Sequence, residues 1–239
     1  MKIQVLDHGY VEFVEAWGVG KAGEDLYANR DHEVGIIEAA RQSTQGSFRG
    51  WKTDSKLLNF LYRNKHATPF EFSGMAIEVQ APIFVFREWH RHRTQSYNEM
   101  SARYAPLPDL YYVPTVERLM MSGGSNKQAQ GTHELLEGDA VTFRDDDLLD
   151  IYSLAERVYQ KALADGIPKE LARLVMPVGH YSRMRASANL RCWLQFLTLR
   201  MDERAQWEIR QFANAVGKVI EAKFPQTWKL FKEERESHA

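Results

Sequence analysis

At positions 72–86 the chain reads FSGMAIEVQAPIFVF, a run that joins two kinds of secondary structure. Its first part, Phe72 to Val79, predicts a β-strand because short and β-branched side chains dominate it. Pro82 ends that strand and suits the first position of a helix, since its missing N–H would be unpaired there in any case. We therefore expect a strand followed at once by a helix that runs through Trp89 towards Arg91.

Three further elements are predicted on the N-terminal side of this run. Alternating apolar residues on both sides of a turn at Asp7 to Gly9 indicate a short strand pair. Asp31 is a plausible N-cap for a helix that ends before a loop at Ser43 to Gly50. A second helix is predicted over Ser55 to Lys65, and its expected buried side comprises Leu57, Leu58, Phe60 and Leu61.

The C-terminal half of the chain is predicted to be mainly helical. Helices are expected over Asp146 to Ala164, from Pro168 onwards, and over Asn189 to Leu199. In the last of these, Arg191 and Gln195 lie on a different side from the apolar residues. A further helix carries its apolar residues at helical spacing: Ile209, Phe212, Ala213, Val216 and Ile220.

Two shorter features complete the predicted fold. Leu110 to Val113 is typical of a short strand, and Met121 to Arg144 predicts a surface insertion because its polar residues have no clear period. The sequence shows neither an internal repeat nor a linker. We predict a single α+β domain over residues 1–239, with a mixed or antiparallel sheet flanked by helices and a helix-rich C-terminal half.

Composition excludes several classes of protein. The 31 basic and 32 acidic side chains give a formal net charge of -1, so the chain has no broad attraction for nucleic acid or anionic membrane. Its longest apolar run, 81–86, is far shorter than the roughly 18 residues that span a bilayer, and the N-terminus does not resemble a signal peptide. The single cysteine, Cys192, excludes an internal disulfide framework. We expect a soluble, cytoplasmic protein that binds neither nucleic acid nor membrane.

The densest group of chemically active side chains lies at positions 87–104, which read REWHRHRTQSYNEMSARY. Four arginines and two histidines occur in this stretch, and guanidinium groups bind phosphate through two parallel hydrogen bonds. A charged surface at the end of a helix is the simpler alternative. The interleaved rings of Trp89, Tyr97 and Tyr104 favour a pocket that stacks flat ligands, because such rings are costly on an open surface.

Two other kinds of site are disfavoured. His90 and His92 are two residues apart, so on a helix their rings point in nearly opposite directions and could not easily share a metal ion. Cys192 lies in a predicted helix with no histidine near it in sequence, and a buried, inert thiol is the simpler interpretation. We predict no metal site and no cysteine nucleophile.

The spacing of residues in this stretch matches a known pattern. Arg91-His92-Arg93, Ser96, Asn98-Glu99, Ser101 and Arg103-Tyr104 closely resemble the signature of flavin-dependent thymidylate synthases. The resemblance extends from about His66 to Phe224, through the segments 66–71, 81–85, 172–177, 189–191, 199–200 and 205–208. The insertion at 121–144 is not part of it.

The resemblance implies an activity and an assembly. It implies reductive methylation of dUMP to dTMP, with 5,10-methylenetetrahydrofolate as the carbon donor and no covalent cysteine nucleophile. It also implies FAD as the cofactor, NADPH as the reductant, and a homotetramer whose active sites lie between subunits.

The resemblance also assigns roles to individual residues. By likeness to the family, the FAD contacts are Thr68, Glu71, Arg91, His92, Arg93, Asn189, Arg191, Gln195 and Arg204. The dUMP contacts are Glu88, Arg91, Glu99, Met100, Ser101, Ala102, Arg103, Arg173 and Arg200. Arg200 is the catalytic residue, because a fixed positive charge against the pyrimidine stabilises negative charge that develops on the ring. His66 and Tyr104 border the entrance for the folate or nicotinamide.

The chain departs from the family pattern at three positions. Glu88 stands where many relatives have glutamine, and its carboxylate would repel a phosphate unless it is paired with Arg87 or Arg91. Ala105 replaces a common serine, and Arg204 falls where some relatives have histidine. Two alternatives therefore stay open: a relative that has lost synthase activity through changes such as Glu88, and a single-stranded nucleic-acid binding module built from the arginines and aromatic rings.

Simpler readings exist for the distant site residues when each is taken alone. Asn189 is more often a helix cap than a ligand, and Arg173 and Arg200 would more often be surface or ion-paired arginines. Only the shared pattern raises them to candidate site residues.

Overall fold

A computed structural model describes residues 1–20, 31–121 and 134–237. The sheet within these residues has five strands: β1 (Lys2–Val5), β2 (Gly9–Trp17), β3 (Gly74–Pro82), β4 (Ser96–Glu99) and β5 (Tyr181–Asn189). Their order is β1-β2-β3-β5-β4, and each neighbouring pair is antiparallel. The α+β fold class is confirmed, with an antiparallel rather than a mixed sheet.

Helices account for most of the remaining described residues. In chain order they are α1 (Val34–Arg41), α2 (Trp51–Arg63), α3 (Ile83–Trp89), α4 (Val116–Met120), α5 (Glu137–Thr142), α6 (Leu149–Ala164), α7 (Lys169–Ala172), α8 (Leu190–Arg200), α9 (Trp207–Lys223) and α10 (Pro225–Glu236). None of the helices in the described ranges is long and apolar enough to span a lipid bilayer.

The junction between β3 and α3 is confirmed. Pro82 is the last residue of the strand and the N-cap of the helix, one position earlier than predicted. The first helical N–H groups, of Ile83 and Phe84, donate to the carbonyl groups of His180 and Val178. The start of α3 is therefore fixed against the segment that leads into β5.

Strand β5 was not predicted, although it lies between β3 and β4. Its side chains alternate: Met184, Ala186 and Ala188 are buried, whereas Arg183 and Arg185 are exposed. This is the period of a half-buried strand. The small size of the buried residues and the two arginines make its apolar signal weak in the sequence.

The core lies on one face of the sheet, where α3, α8 and α9 pack. Trp89, Trp193, Phe196 and Phe212 are fully buried there. The predicted apolar sides of α8 and α9 are confirmed, and Arg191, Gln195 and Leu199 of α8 are exposed on the opposite side.

Several predictions about the N-terminal elements are wrong. Helix α1 starts after Glu33 rather than after Asp31, whose carboxylate instead accepts hydrogen bonds from the Glu33 N–H and the Trp51 indole. Helix α2 starts at Trp51, and Phe60 is 52% exposed rather than buried. Its position at the edge of the apolar side explains the error.

The predictions between residues 110 and 164 are also only partly correct. Leu110 to Val113 forms a single bridge, between Tyr111 and His180, rather than a strand. Of the predicted insertion, residues 122–133 lie outside the described residues, whereas 137–144 is helical and continues through a π-helical segment, Phe143–Leu148, into α6. Tyr152, Ala155 and Tyr159 of α6 are buried. The other predicted stripe residues Leu149, Leu154 and Val158 are exposed.

A fully buried carboxyl group links α1 to α10. Glu33 accepts hydrogen bonds from the N–H groups of Gln226 (2.9 Å) and Thr227 (2.6 Å) at the start of α10. Burial nevertheless raises the pKa of Glu33 from 4.5 to about 7. Between these two pH values the unfolded chain loses a proton that the folded chain keeps, so the free energy of unfolding falls as the pH rises.

We expect Glu33→Gln to remove this part of the pH dependence. Relative to the variant, the parent should lose about 3 kcal/mol of stability between pH 4.5 and about 7. Urea unfolding of both proteins across this range measures the difference, which cancels the opposing contribution of groups common to both. Parallel curves would show that Glu33 does not titrate in this window.

Candidate active site

The signature segment follows α3 and ends in the sheet. After Trp89 the chain turns through residues 90–95 and enters β4, which is an edge strand paired with β5. The expectation that Glu99 lies in a loop is wrong, because it is the last residue of β4. The N–H of Met100 continues the ladder by donating to the carbonyl of Arg183 at 2.8 Å.

The aromatic residues of the segment brace the turn rather than line a pocket. Trp89 is fully buried, stacks on Phe196 with 4.6 Å between ring centroids, and donates from Nε1 to Gln95 Oε1 at 3.0 Å. The Tyr97 hydroxyl donates to the carbonyl of His92 at 2.7 Å. Tyr104 is 81% exposed. The inference that Trp89 stacks a ligand is therefore wrong, since the core already occupies its ring.

Arg200, at the end of α8, meets the signature segment. Its Nη1 donates to Glu88 Oε2 at 2.8 Å, its Nη2 to the Glu88 carbonyl at 3.0 Å, and its Nε to His92 Nε2 at 2.9 Å. The partner of Glu88 is thus Arg200 and not Arg87 or Arg91. The Arg200 side chain is 16% exposed and that of Glu88 is 42% exposed.

The protonation of His92 follows from this arrangement. Burial, and then the charge of Arg200, lower the pKa of His92 to about 4, although Glu88 acts in the opposite direction. The ring is therefore neutral near pH 7, and its Nε2 accepts the Arg200 proton while Nδ1 carries its own. The guanidinium is held on two sides by groups that do not compete for protons.

A second group of predicted residues lines two adjoining clefts. A cleft of about 430 Å³ between α2, α8 and α10 has mainly apolar walls and includes His66, Arg191 and Gln195. A neighbouring cleft of about 650 Å³ shares His66 and Arg191 and includes Thr68. Glu71 forms an ion pair with Arg191 at this wall.

The sequence analysis missed Lys65 at this position. Lys65 lines both clefts, has a left-handed backbone (φ 57°) just after α2, and forms an ion pair with Glu234 of α10. Its place directly before the matched segment 66–71 was a usable signal.

The remaining predicted residues are not brought into these groups within a single chain. Arg91, Arg93 and Arg173 are exposed, and Arg103 is ion-paired with Glu170 at 2.9 Å. Met100, Ser101 and Ala102 follow β4, and Ala102 is buried. A single subunit therefore presents several cationic groups at its surface without enclosing them.

Two residues predicted to contact the flavin have local partners. Asn189 caps α8, because its Oδ1 accepts from the Cys192 N–H at 2.9 Å, which leaves its amide N–H groups for a ligand. Arg204 pairs with Asp202 at 2.9 Å, and this guanidinium holds the pKa of Asp202 down at about 2.

Glu99 has a buried partner that sequence analysis did not identify. The Ser182 hydroxyl of β5 donates to Glu99 Oε1 at 2.6 Å. The two residues are 83 positions apart, and without β5 in the predicted fold no pattern connected them.

The two other kinds of site that the sequence disfavoured have the following surroundings. In the described ranges no group of three or more histidine, cysteine, aspartate or glutamate side chains is placed to hold a metal ion. The His90 ring packs against Phe86 and Tyr97. Cys192 is a buried free thiol.

Comparison with known proteins gives consistent results. The family model for thymidylate synthase complementing protein matches residues 26–226. A flavin-dependent thymidylate synthase of Thermotoga neapolitana is 33% identical, covering 97% of this chain and 94% of the relative. One from Thermus thermophilus is 34% identical, covering 98% and 79%. The solved structure of the UMP/dUMP methylase PolB from Streptomyces cacaoi with 5-Br dUMP aligns with a TM-score of 0.80 at 29% identity, covering 97% of each chain.

Proposed function

Because the chain belongs to the flavin-dependent thymidylate synthase family, we propose that it methylates dUMP to dTMP reductively. The observation that carries this proposal is the meeting of Arg200 with Glu88 and His92, because it joins the end of α8 to the signature segment. The proposed carbon donor is 5,10-methylenetetrahydrofolate, and the proposed reductant is NADPH. The proposed location is a reducing cytoplasm, which suits the single buried thiol of Cys192.

The two clefts beside α8 suit FAD. Their volumes lie in the range of cofactor sites, and the apolar walls match a flat ring system. Arg191 and Lys65 supply positive charge for phosphate groups, and Thr68 and Gln195 supply neutral hydrogen-bonding groups. When bound, the flavin would supply the redox chemistry of the reaction.

Arg200 is the proposed catalytic residue. It is partly buried and fixed by three hydrogen bonds, so its charge needs no reorganisation when negative charge develops at C5 of the pyrimidine. His92 stays neutral and so holds the guanidinium without adding a competing charge. Glu88 orients Arg200 through its carbonyl and carboxylate, and this ion pair also reduces the repulsion that a lone carboxylate would exert on a phosphate.

We propose that the remaining part of each site comes from another subunit of a homotetramer. Arg91, Arg93 and Arg173 are exposed in a single chain. The surface of α6, α7 and the following segment also carries many exposed apolar side chains, among them Ile151, Leu154, Val158, Leu171, Leu174 and Val178. Such a surface is typical of an interface between subunits. A monomeric mass at assay concentration would contradict this assembly.

The test of the proposed function is turnover. The purified protein, loaded with FAD, should form dTMP from dUMP with 5,10-methylenetetrahydrofolate and NADPH. UMP belongs in the same assay, because PolB has been solved with 5-Br UMP as well as 5-Br dUMP. NADH in place of NADPH tests the choice of reductant. A colourless protein that cannot be reconstituted with FAD and forms no product would contradict the proposal.

The same assays separate the alternatives. A nucleic-acid binding module would bind oligonucleotides in a salt-sensitive way without flavin, which the net charge of -1 disfavours. A relative without synthase activity would bind flavin but fail to turn over dUMP. If Glu88 were the cause, Glu88→Gln would restore turnover.

A further inference from the structure

We propose that Ser182 is a positioning residue for Glu99 and so for the nucleotide; this inference rests on the proposed function, in which Glu99 contacts dUMP. Ser182 is 3% exposed, and its hydroxyl donates to Glu99 Oε1 at 2.6 Å. This is the short, charge-assisted hydrogen bond expected between a hydroxyl and a carboxylate.

The strand register accounts for the contact. Glu99 lies opposite Met184, and residues that face each other in an antiparallel pair project from the same side of the sheet. Ser182 is two residues from Met184 along β5 and therefore lies on that side as well. Its own partner on β3 is Ala81, whose small side chain leaves the hydroxyl free to turn towards β4.

The position of Glu99 makes this contact important for a ligand. Glu99 is exposed at the end of an edge strand, where a long side chain would otherwise sample several rotamers. The Ser182 hydroxyl fixes one carboxylate oxygen and leaves the other to accept from a nucleotide N–H or O–H group. Preorganisation of this kind lowers the entropy lost on binding.

The expected effect is on nucleotide affinity. Ser182→Ala should weaken dUMP binding by about 5- to 20-fold, the range expected for a hydrogen bond to a charged group. The value of kcat should stay within about 2-fold of the parent, because Glu99 is not the residue that stabilises charge on the ring. Ser182→Thr keeps the hydroxyl and should restore most of the affinity.

The experiment measures the dissociation constant of dUMP for the FAD-loaded protein by calorimetry, together with KM and kcat. The variants are Ser182→Ala, Ser182→Thr, Glu99→Gln and the double variant Ser182→Ala/Glu99→Gln. Ser187→Ala is the control on β5, because Ser187 lies on the opposite face of the strand. Flavin content and the thermal midpoint of each variant report any general structural effect.

The outcomes separate the two proposals. Support for the Ser182 proposal requires weaker dUMP binding in Ser182→Ala, recovery in Ser182→Thr, and no additional loss when Ser182→Ala is added to Glu99→Gln. Parental affinity in Ser182→Ala, or an equal loss in the Glu99→Gln background, overturns it. A parent that binds dUMP but forms no dTMP overturns the proposed reaction alone, whereas a parent that does not bind dUMP overturns both.

Discussion

Replacing Arg200 with alanine is expected to lower kcat for dTMP formation by about 100- to 1,000-fold, the range found when one preorganised charge-stabilising group is removed. The three hydrogen bonds to Glu88 and His92 hold the guanidinium in one place, so its contribution does not depend on a flexible side chain. Steady-state kinetics with saturating FAD, folate and NADPH measures the effect.

Loss of Arg200 should affect the fold only modestly. Glu88 is 42% exposed, so its carboxylate can be hydrated when its partner is removed. The pKa of His92 should rise in the variant because the charge of Arg200 lowers it in the parent, and NMR titration of the ring detects this change. Arg63→Ala is the control, since Arg63 belongs to an exposed ion pair with Glu233. An Arg200→Ala protein with parental kcat would contradict the catalytic role.

The largest expected effect on stability is that of Trp89→Ala. We expect the free energy of unfolding to fall by about 3–5 kcal/mol, because the change removes a fully buried indole and leaves a cavity between α3 and α8. Gln95 Oε1 also loses the donor that the indole supplies. Urea unfolding monitored by circular dichroism gives the difference.

Phe60→Ala provides a matched comparison for that prediction. Phe60 is 52% exposed, so its truncation should cost less than about 1 kcal/mol. Comparable losses in the two variants would show that Trp89 is not part of the core. A Trp89→Ala protein that keeps parental stability but loses flavin would instead support the original inference of a ligand-stacking ring.

The elements that sequence alone predicted well are those whose apolar spacing agrees with their final environment. The β3–α3 junction and the buried sides of α8 and α9 meet this condition. Helix α6 does not, because its apolar residues exceed what one chain buries, and Leu154 and Val158 are exposed. Strand β5 has the correct period but only small buried side chains, so its weak apolar signal hid a central strand.

The site shows the same division. The spaced signature at 91–104 could be recognised from sequence, because all of its members lie in one short segment. The pairing of Glu88 with Arg200 could not, because 112 positions separate them and the predicted partners were the neighbouring arginines. Trp89 was assigned to a pocket because its burial depends on Phe196, which lies on a distant helix. Ser182 and Lys65 were missed because each gains its role from a tertiary contact.

The central claim is that flavin and pyrimidine nucleotide bind side by side. An absorbance titration of the FAD-loaded protein with dUMP tests it most directly, because a nucleotide placed against the flavin changes the environment of the ring. We expect the flavin bands to shift in a saturable way as dUMP is added. Flavin bands that do not change at any concentration of dUMP, or a protein that takes up no flavin at all, would contradict the account.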